Sequence, residues 1–192
     1  AATTGNYSFR LLDVASQPSQ ILDTIVIGAL NPGLKADLFR FTGTAGQRLF
    51  LDSLSVSPFT CANWQLFGPA NQNVASNCLG NDFEATLPGE GLYVLVLFGN
   101  SASPIDYRFR VVTPDTTTQA LTVGDPTGTL LEPGELDVFT FTGSVGQRLF
   151  YDALDGDSDA INAQLVSPSG GIVGINTNSD SDAGPFTLSE PG

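Results

Sequence analysis

Two runs of hard oxygen ligands stand out in this chain. Asp155-Gly-Asp-Ser-Asp159 alternates carboxylates at Asp155, Asp157 and Asp159, and Asn176-Thr-Asn-Ser-Asp-Ser-Asp182 adds side-chain oxygens at Asn176, Asn178, Asp180 and Asp182. Calcium takes about six to eight such oxygens, which two facing loops can supply. The spacing is not that of an EF-hand, because the twelfth position from Asp155 is Val166 where a glutamate would stand. The competing reading is a pair of solvated acidic turns, and the residues leave both open. Calcium is the only cofactor the pattern suggests.

The other reactive candidates are few. Cys61 and Cys78 are the only cysteines, and an even pair in a chain rich in Thr, Ser and Gly favours a disulfide and an oxidising compartment. Two buried free thiols are the alternative. Trp64, beside Asn63 and Gln65, is a candidate platform for a sugar ring in a polysaccharide; an aromatic packed on the disulfide is the plainer expectation. The chain has no histidine, which removes the usual general base, the Ser-His triads and the commonest metal ligand. It also lacks a Gly-x-Ser-x-Gly elbow and a phosphate-binding glycine loop. Asp52 and Asp152 are a conceivable carboxylate pair, whereas Asp37 and Asp137 begin the Phe-x-Phe strand of each repeat, where a short carboxylate after a turn commonly accepts backbone N–H bonds. Each pair consists of one residue occurring twice, so shared scaffold is the better account, and no enzymatic activity is expected.

The elements that hold these residues are themselves repeated. The segment from Ala36 to Leu54 (ADLFRFTGTAGQRLFLDSL) returns from Leu136 to Leu154 (LDVFTFTGSVGQRLFYDAL), with 12 of 19 positions identical. A period of 100 residues is too long for a solenoid coil and suits one domain per repeat. Tyr7-Ser-Phe-Arg-Leu-Leu12 corresponds to Tyr107-Arg-Phe-Arg-Val-Val112, and Gly28 to Gly128. The stretch ending at Gly91 corresponds to the one ending at Gly192. The frame gives three segments: 1–14, a strand and linker of a preceding repeat; 15–115, a complete module; and 116–192, a second module without its last two strands.

Apolar residues recur with period two. Phe39 and Phe41 share one face, as do Phe139 and Phe141, while Arg40 and Thr140 point the other way. Leu92-Tyr-Val-Leu-Val-Leu-Phe98 is a continuous apolar run, as expected for a strand inside a sandwich. Turn signals such as Asn31-Pro-Gly33, Ala45-Gly46, Gly68-Pro69, Pro88-Gly89 and Glu132-Pro-Gly134 punctuate the runs. The predicted class is all-β, with antiparallel sandwiches or barrels.

The ordered set Asn31-Pro-Gly33, Asp37-Leu-Phe-Arg-Phe41, Gly46-Gln-Arg-Leu49, Gln65-Leu66 with Pro69, Leu87-Pro-Gly-Glu-Gly-Leu-Tyr-Val-Leu-Val-Leu97 and Tyr107-Arg-Phe-Arg-Val111 resembles the bacterial pre-peptidase C-terminal domain family. The resemblance covers one module and most of a second. It implies two tandem jelly-roll-like antiparallel β-sandwiches, the second incomplete, of the kind found at the ends of secreted proteases and in arrays on large surface proteins. It also implies an extracellular or cell-surface location, and acidic residues near the start of a module that bind calcium in some members.

Net charge is −13, from 20 acids and 7 bases. Nucleic acid is thereby disfavoured as a partner, because phosphate binding needs clustered Lys and Arg. No apolar stretch approaches the roughly 20 residues of a membrane-spanning helix, so no membrane insertion is expected. What remains is a non-catalytic structural or adhesive module. Its expected partners are further tandem modules or copies of itself, joined head to tail by a donated strand carrying Tyr7, Phe9 and Leu11. A calcium-dependent carbohydrate- or matrix-binding module and an accessory domain of an exported hydrolase are the alternatives.

Overall fold

Period-two alternation produces strands wherever one face can be buried, and it does so along most of the chain. The computed structural model describes residues 4–20, 22–59, 62–121, 128–154, 156 and 160–192, leaving aside the side chains of 175–177. Among these residues there are fourteen β-strands and a single 3-10 turn, Val14–Ser16, with no α-helix. The predicted all-β class holds. Contacts divide the chain into two units: Ala1–Thr117 with Thr129–Leu136, and Thr118–Gly128 with Asp137–Gly192.

The first unit holds β1 (Val26–Leu30), β2 (Ala36–Gly43), β3 (Arg48–Ser57), β4 (Asn63–Phe67), β5 (Asn73–Cys78), β6 (Phe83–Thr86), β7 (Gly91–Phe98) and β8 (Ile105–Val112). They form two four-stranded sheets, ordered β1-β8-β3-β6 and β2-β7-β4-β5, with antiparallel pairing throughout. Inward residues of both sheets share one core. Phe41, Trp64, Leu66, Tyr93, Leu95 and Leu97 come from one sheet, and Leu30, Leu49, Leu51, Ile105, Phe109 and Val111 from the other. Phe109 meets Phe39 and Trp64 edge to face across the gap, with ring centroids 5.5 and 5.9 Å apart. Burying a large apolar side chain stabilises by about 1.5–3 kcal/mol, so this interior dominates the unit's stability.

The last two strands of the unit are inner strands of its sheets. β7 lies between β2 and β4, and β8 lies between β1 and β3. They are the strands whose counterparts the sequence frame expects to be absent from the second repeat.

Among the described residues the second unit pairs its strands differently. Its strands are β10 (Leu136–Thr140), β11 (Arg148–Tyr151), β12 (Asn162–Val166), β13 (Ile172–Asn178) and β14 (Ala183–Thr187), with β9 (Thr116–Ala120) leading in. Instead of two four-stranded sheets there are three two-stranded pairs: β10 with β9, β11 with β14, and β12 with β13. Among the described residues no strand lies between β10 and β12, the counterparts of β2 and β4. Every buried apolar side chain among the described residues lies at or before Pro114. Leu49 is 1% exposed and Leu66 is fully buried, whereas Leu149 and Leu165 are only half-buried. A second sandwich comparable to the first is therefore not formed within the described residues.

What the second unit keeps is the repeat's local wiring. Gln47 and Gln147 accept from the Thr44 and Ser144 N–H groups through their side-chain oxygens, both at 3.1 Å. The Leu87 N–H bonds the Gln47 carbonyl and the Leu188 N–H the Gln147 carbonyl, both at 2.9 Å. Gly46 and Gly146 hold positive φ values of 78° and 82°, the left-handed conformation that glycine adopts without steric cost. One difference is local: the β11–β14 ladder slips register between Leu149 and Tyr151, so a bulge takes up the residue by which the second repeat is longer there.

Candidate functional site

The repeated carboxylates can be followed to their partners one by one. Asp37 is the second residue of β2, and Tyr107 lies on β8 in the other sheet. The Tyr107 hydroxyl donates to Asp37 Oδ2 at 2.8 Å, above Gly28, where any Cβ would collide with the tyrosine ring. Burial first, then the hydrogen bond and charge of Asp37, raise the Tyr107 pKa above its ordinary 10.0. The hydroxyl therefore stays protonated and is neither a base nor a nucleophile near neutral pH. Gln17, Pro18, Val26, Ile27, Leu38 and Phe39 complete a shallow depression around this pair.

Asp52, on β3, faces Arg110 across the ladder. Its Oδ2 accepts from Arg110 Nε at 2.6 Å, and Arg110 Nη1 reaches Glu132 at 3.3 Å. The hydrogen bond to Asp52 raises the Arg110 pKa further. Asp52 is 7% exposed, and a partly buried, charge-assisted pair of this geometry fixes the register of two strands.

The acidic turn of the second unit has a precedent in the first. Asp82 Oδ1 accepts the Ser53 N–H at 2.7 Å, and Asp182 Oδ1 accepts the Ala153 N–H at 2.9 Å. Asn178 Oδ1 accepts the Asp180 N–H at 2.8 Å, and the Ser179 hydroxyl lies 3.1 Å from Asp180 Oδ1. Tyr151 donates to the Ser179 carbonyl at 2.8 Å; its pKa is raised by burial first and by the Asp180 charge second. Of the expected calcium ligands, Asp155, Asp157 and Asp159 lie outside the described residues, as does the side chain of Asn176. Among the described residues no group of three or more His, Cys, Asp or Glu side chains is placed to hold a metal ion.

Cys78 ends β5, half-buried, and Cys61 lies outside the described residues. Trp64 is fully buried, packed edge to face on Phe83 at 5.1 Å and on Phe109 at 5.9 Å. Neither face of the indole is open to a sugar, so the platform expectation is corrected: alternation on β4 points Trp64 inward with Leu66. Its Nε1 has no hydrogen-bond partner among the described residues.

The N-terminal segment is the reverse case. Tyr7, Phe9 and Leu11 are 88%, 76% and 89% exposed and belong to no strand. Tyr7 and Phe9 stack with centroids 6.3 Å apart, close to the 5.8 Å of Tyr107 and Phe109 in β8. Both rings are thus presented on one side of an extended segment. The Tyr107–Asp37 and Arg110–Asp52 pairs were not singled out from the sequence. Their signal was present: both acids recur after 100 residues, and Tyr7 and Arg10 repeat the tyrosine and arginine.

No family model and no curated protein matches the chain. Among solved structures it is similar to PliG of Aeromonas hydrophila, a periplasmic inhibitor of g-type lysozyme, at 16% identity and TM-score 0.39, over 50% of this chain and 95% of that one. It is similar to the pre-peptidase C-terminal domain of a collagenase from Bacillus anthracis at 21% identity and TM-score 0.41, over 50% and 95% of the two chains. The PliG of Salmonella Typhimurium, also a periplasmic inhibitor of g-type lysozyme, aligns at 22% identity and TM-score 0.36, over 50% and 97%. Among the described residues no helix is long and apolar enough to cross a membrane.

Proposed function

We propose that this chain is a non-catalytic structural and adhesive module of an exported, repeat-built protein, acting at the cell surface or outside the cell. One observation carries the reading: each repeated carboxylate with a defined partner is used by the scaffold. Asp37 holds a tyrosine, Asp52 an arginine, and Asp82 and Asp182 a backbone N–H each. A catalytic acid or base needs an open position beside a reacting atom, and these carboxylates are engaged in tying one strand to the next. The module's work is then spacing and display, with jelly-roll-like units following one another.

Two features extend the proposal. A Cys61–Cys78 disulfide would clip the loop leaving β5 to the start of β4; that Cys78 is not a free thiol supports it. In the second unit a calcium ion bound by Asp155, Asp157, Asp159, Asn176, Asn178, Asp180 and Asp182 would clip the corresponding loops, a reading that rests on the oxygen-rich sequence pattern.

The test is a panel of peptide, ester, glycoside and phosphoester substrates presented to the purified chain, with Asp52→Asn and Asp37→Asn in parallel. The expected result is no turnover, with lower melting temperatures in both variants. Turnover that scales with protein and disappears in Asp52→Asn would overturn the proposal.

A further inference from the structure

A stretch of the second repeat belongs to the first unit. The chain leaves that unit after Thr117, returns to it from Thr129 to Leu136, and leaves it again at Asp137. What receives the returning stretch is the outward face of β3. Leu49 and Leu51 point into the core, so alternation turns Arg48, Phe50 and Asp52 the other way, and Arg110 on β8 stands opposite Asp52.

Turn and face meet at three points. Arg110, whose Nε is held by Asp52, reaches Glu132 Oε2 through Nη1 at 3.3 Å. Arg48 Nη2 donates to the Gly134 carbonyl at 3.0 Å, while its Nη1 donates to Thr116 Oγ1 at 3.3 Å. Gly134 lies against Phe50, so closely that a Cβ built on it would come within 2.8 Å of the Phe50 Cβ. The turn is closed on itself as well. The Glu135 N–H bonds the Glu132 carbonyl at 3.2 Å, with Pro133 and, at φ 79°, Gly134 in the central positions, as in a type II turn. Glu135 Oε2 accepts the Leu131 N–H at 2.6 Å and the Glu132 N–H at 3.2 Å. Behind it the Leu136 N–H bonds the Asp115 carbonyl at 3.1 Å.

The first repeat uses the same turn in another setting. In Asn31-Pro-Gly33 an asparagine stands where the second repeat has Glu132, and the Gly33 N–H bonds the Ser103 carbonyl at 3.2 Å. The acid thus occurs in the copy that faces an arginine. The contact it makes is open to solvent, since the Glu132 side chain is 56% exposed. Exposed charges are screened over a Debye length that shrinks from about 30 Å at 0.01 M salt to about 3 Å at 1 M.

We propose that the outer face of β3 and β8 is a recognition surface for the acidic Pro-Gly turn 131–136, and that this turn is a salt-sensitive latch. Docked, it makes the connector that follows β8 a fixed part of the first unit. With its charges screened it lets the connector go and leaves the sandwich intact. The proposal goes beyond the structural reading above, and turnover by the chain would leave it untouched.

The test is hydrogen exchange of the full chain, read by mass on peptides covering 129–136, from about 0.01 M to about 1 M sodium chloride. Exchange at Leu131, Glu132 and Leu136 should be slow at low salt and rise at least about threefold at high salt, the effect of losing one exposed ion pair. Peptides from β3 and β8 should not respond. Glu132→Gln should show the high-salt rate at every salt concentration. Gly134→Ala should release the turn throughout, because its Cβ meets Phe50. Gly146→Ala is strained at φ 82° but has nothing within 4 Å of the added Cβ, and should leave 129–136 protected. Unchanged protection of β3 and β8 in each variant shows that the first unit folds. A segment 129–136 that is unprotected at low salt, exchange indifferent to salt, or a Glu132→Gln chain with the parent's salt response would each overturn the proposal. Protection that grows with protein concentration would do so too, because it would seat the turn of a second copy on this face.

Discussion

The hydroxyl of Tyr107, on an inner strand of one sheet, donates to Oδ2 of Asp37, at the edge of the other, over 2.8 Å. This bond crosses the sandwich at its rim and ties the last strand of the unit to the second.

Removing it has a signature in pH. Tyr107 has a pKa raised above its ordinary 10.0, by burial and then by Asp37, so folding favours its protonated form. The stability this contributes is fully present below about pH 10 and is lost as pH rises above that value toward the folded-state pKa. Tyr107→Phe should lower stability near neutral pH by about 1–3 kcal/mol, because Asp37 loses its donor. Above pH 10 the variant should show a shallower fall than the parent. Urea denaturation at neutral pH and at successive alkaline values measures both effects.

Equivalent core substitutions should be unequal. Leu49→Ala removes a side chain that is 1% exposed and should cost about 2–5 kcal/mol in the first unit's transition. Leu149→Ala, at the half-buried counterpart, should cost less than about 1.5 kcal/mol, since only part of the transfer free energy is at stake. Scanning calorimetry of the two variants tests this, and equal losses would mean that the second unit is as well enclosed as the first.

The proposed Cys61–Cys78 clip should act on the first unit alone. Closing a loop of about 15 residues stabilises by about 3 kcal/mol in the chain-entropy model. Reductant should therefore lower the first unit's melting transition and leave the second unchanged. Mass analysis with and without reductant should show the loss of two hydrogens in the native chain.

The proposed calcium site makes the converse demand. Millimolar calcium should raise the second unit's transition, chelator should reverse the rise, and Asp157→Asn should abolish it. Calorimetry without heat on calcium addition, together with a melting curve indifferent to chelator, would leave only solvated acidic turns.

The sequence made the first unit readable for a simple reason. Period two is a local property, so Phe39, Phe41, Trp64 and Leu66 declare their faces within a few residues. The duplication added the pairing of Gln47 with Gln147 and of Asp82 with Asp182, which recur with the same bonds. Strand order was not legible, because it is set by contacts far apart in the chain: that β7 and β8 lie inside their sheets cannot be deduced from LYVLVLFGN or YRFRVV. For the same reason the expectation for 116–192, a module without its last two strands, does not say how its described strands pair, and they form three two-stranded sheets. The sugar-platform alternative for Trp64 fails on burial: Asn63 and Gln65 alternate outward while the indole packs inward with Leu66.

The placement of β7 and β8 also has a consequence for how such a unit comes into being. Both are the last strands to be synthesised, and each is the strand to which its sheet's earlier members must pair. Neither sheet can close until nearly the whole unit has left the ribosome. The unit therefore folds late and through contacts of long sequence separation, which slows it. Until then its half-made sheets carry open edges that tempt a neighbouring repeat of nearly the same sequence. In a tandem array, the order of synthesis itself would be the main protection against mispairing.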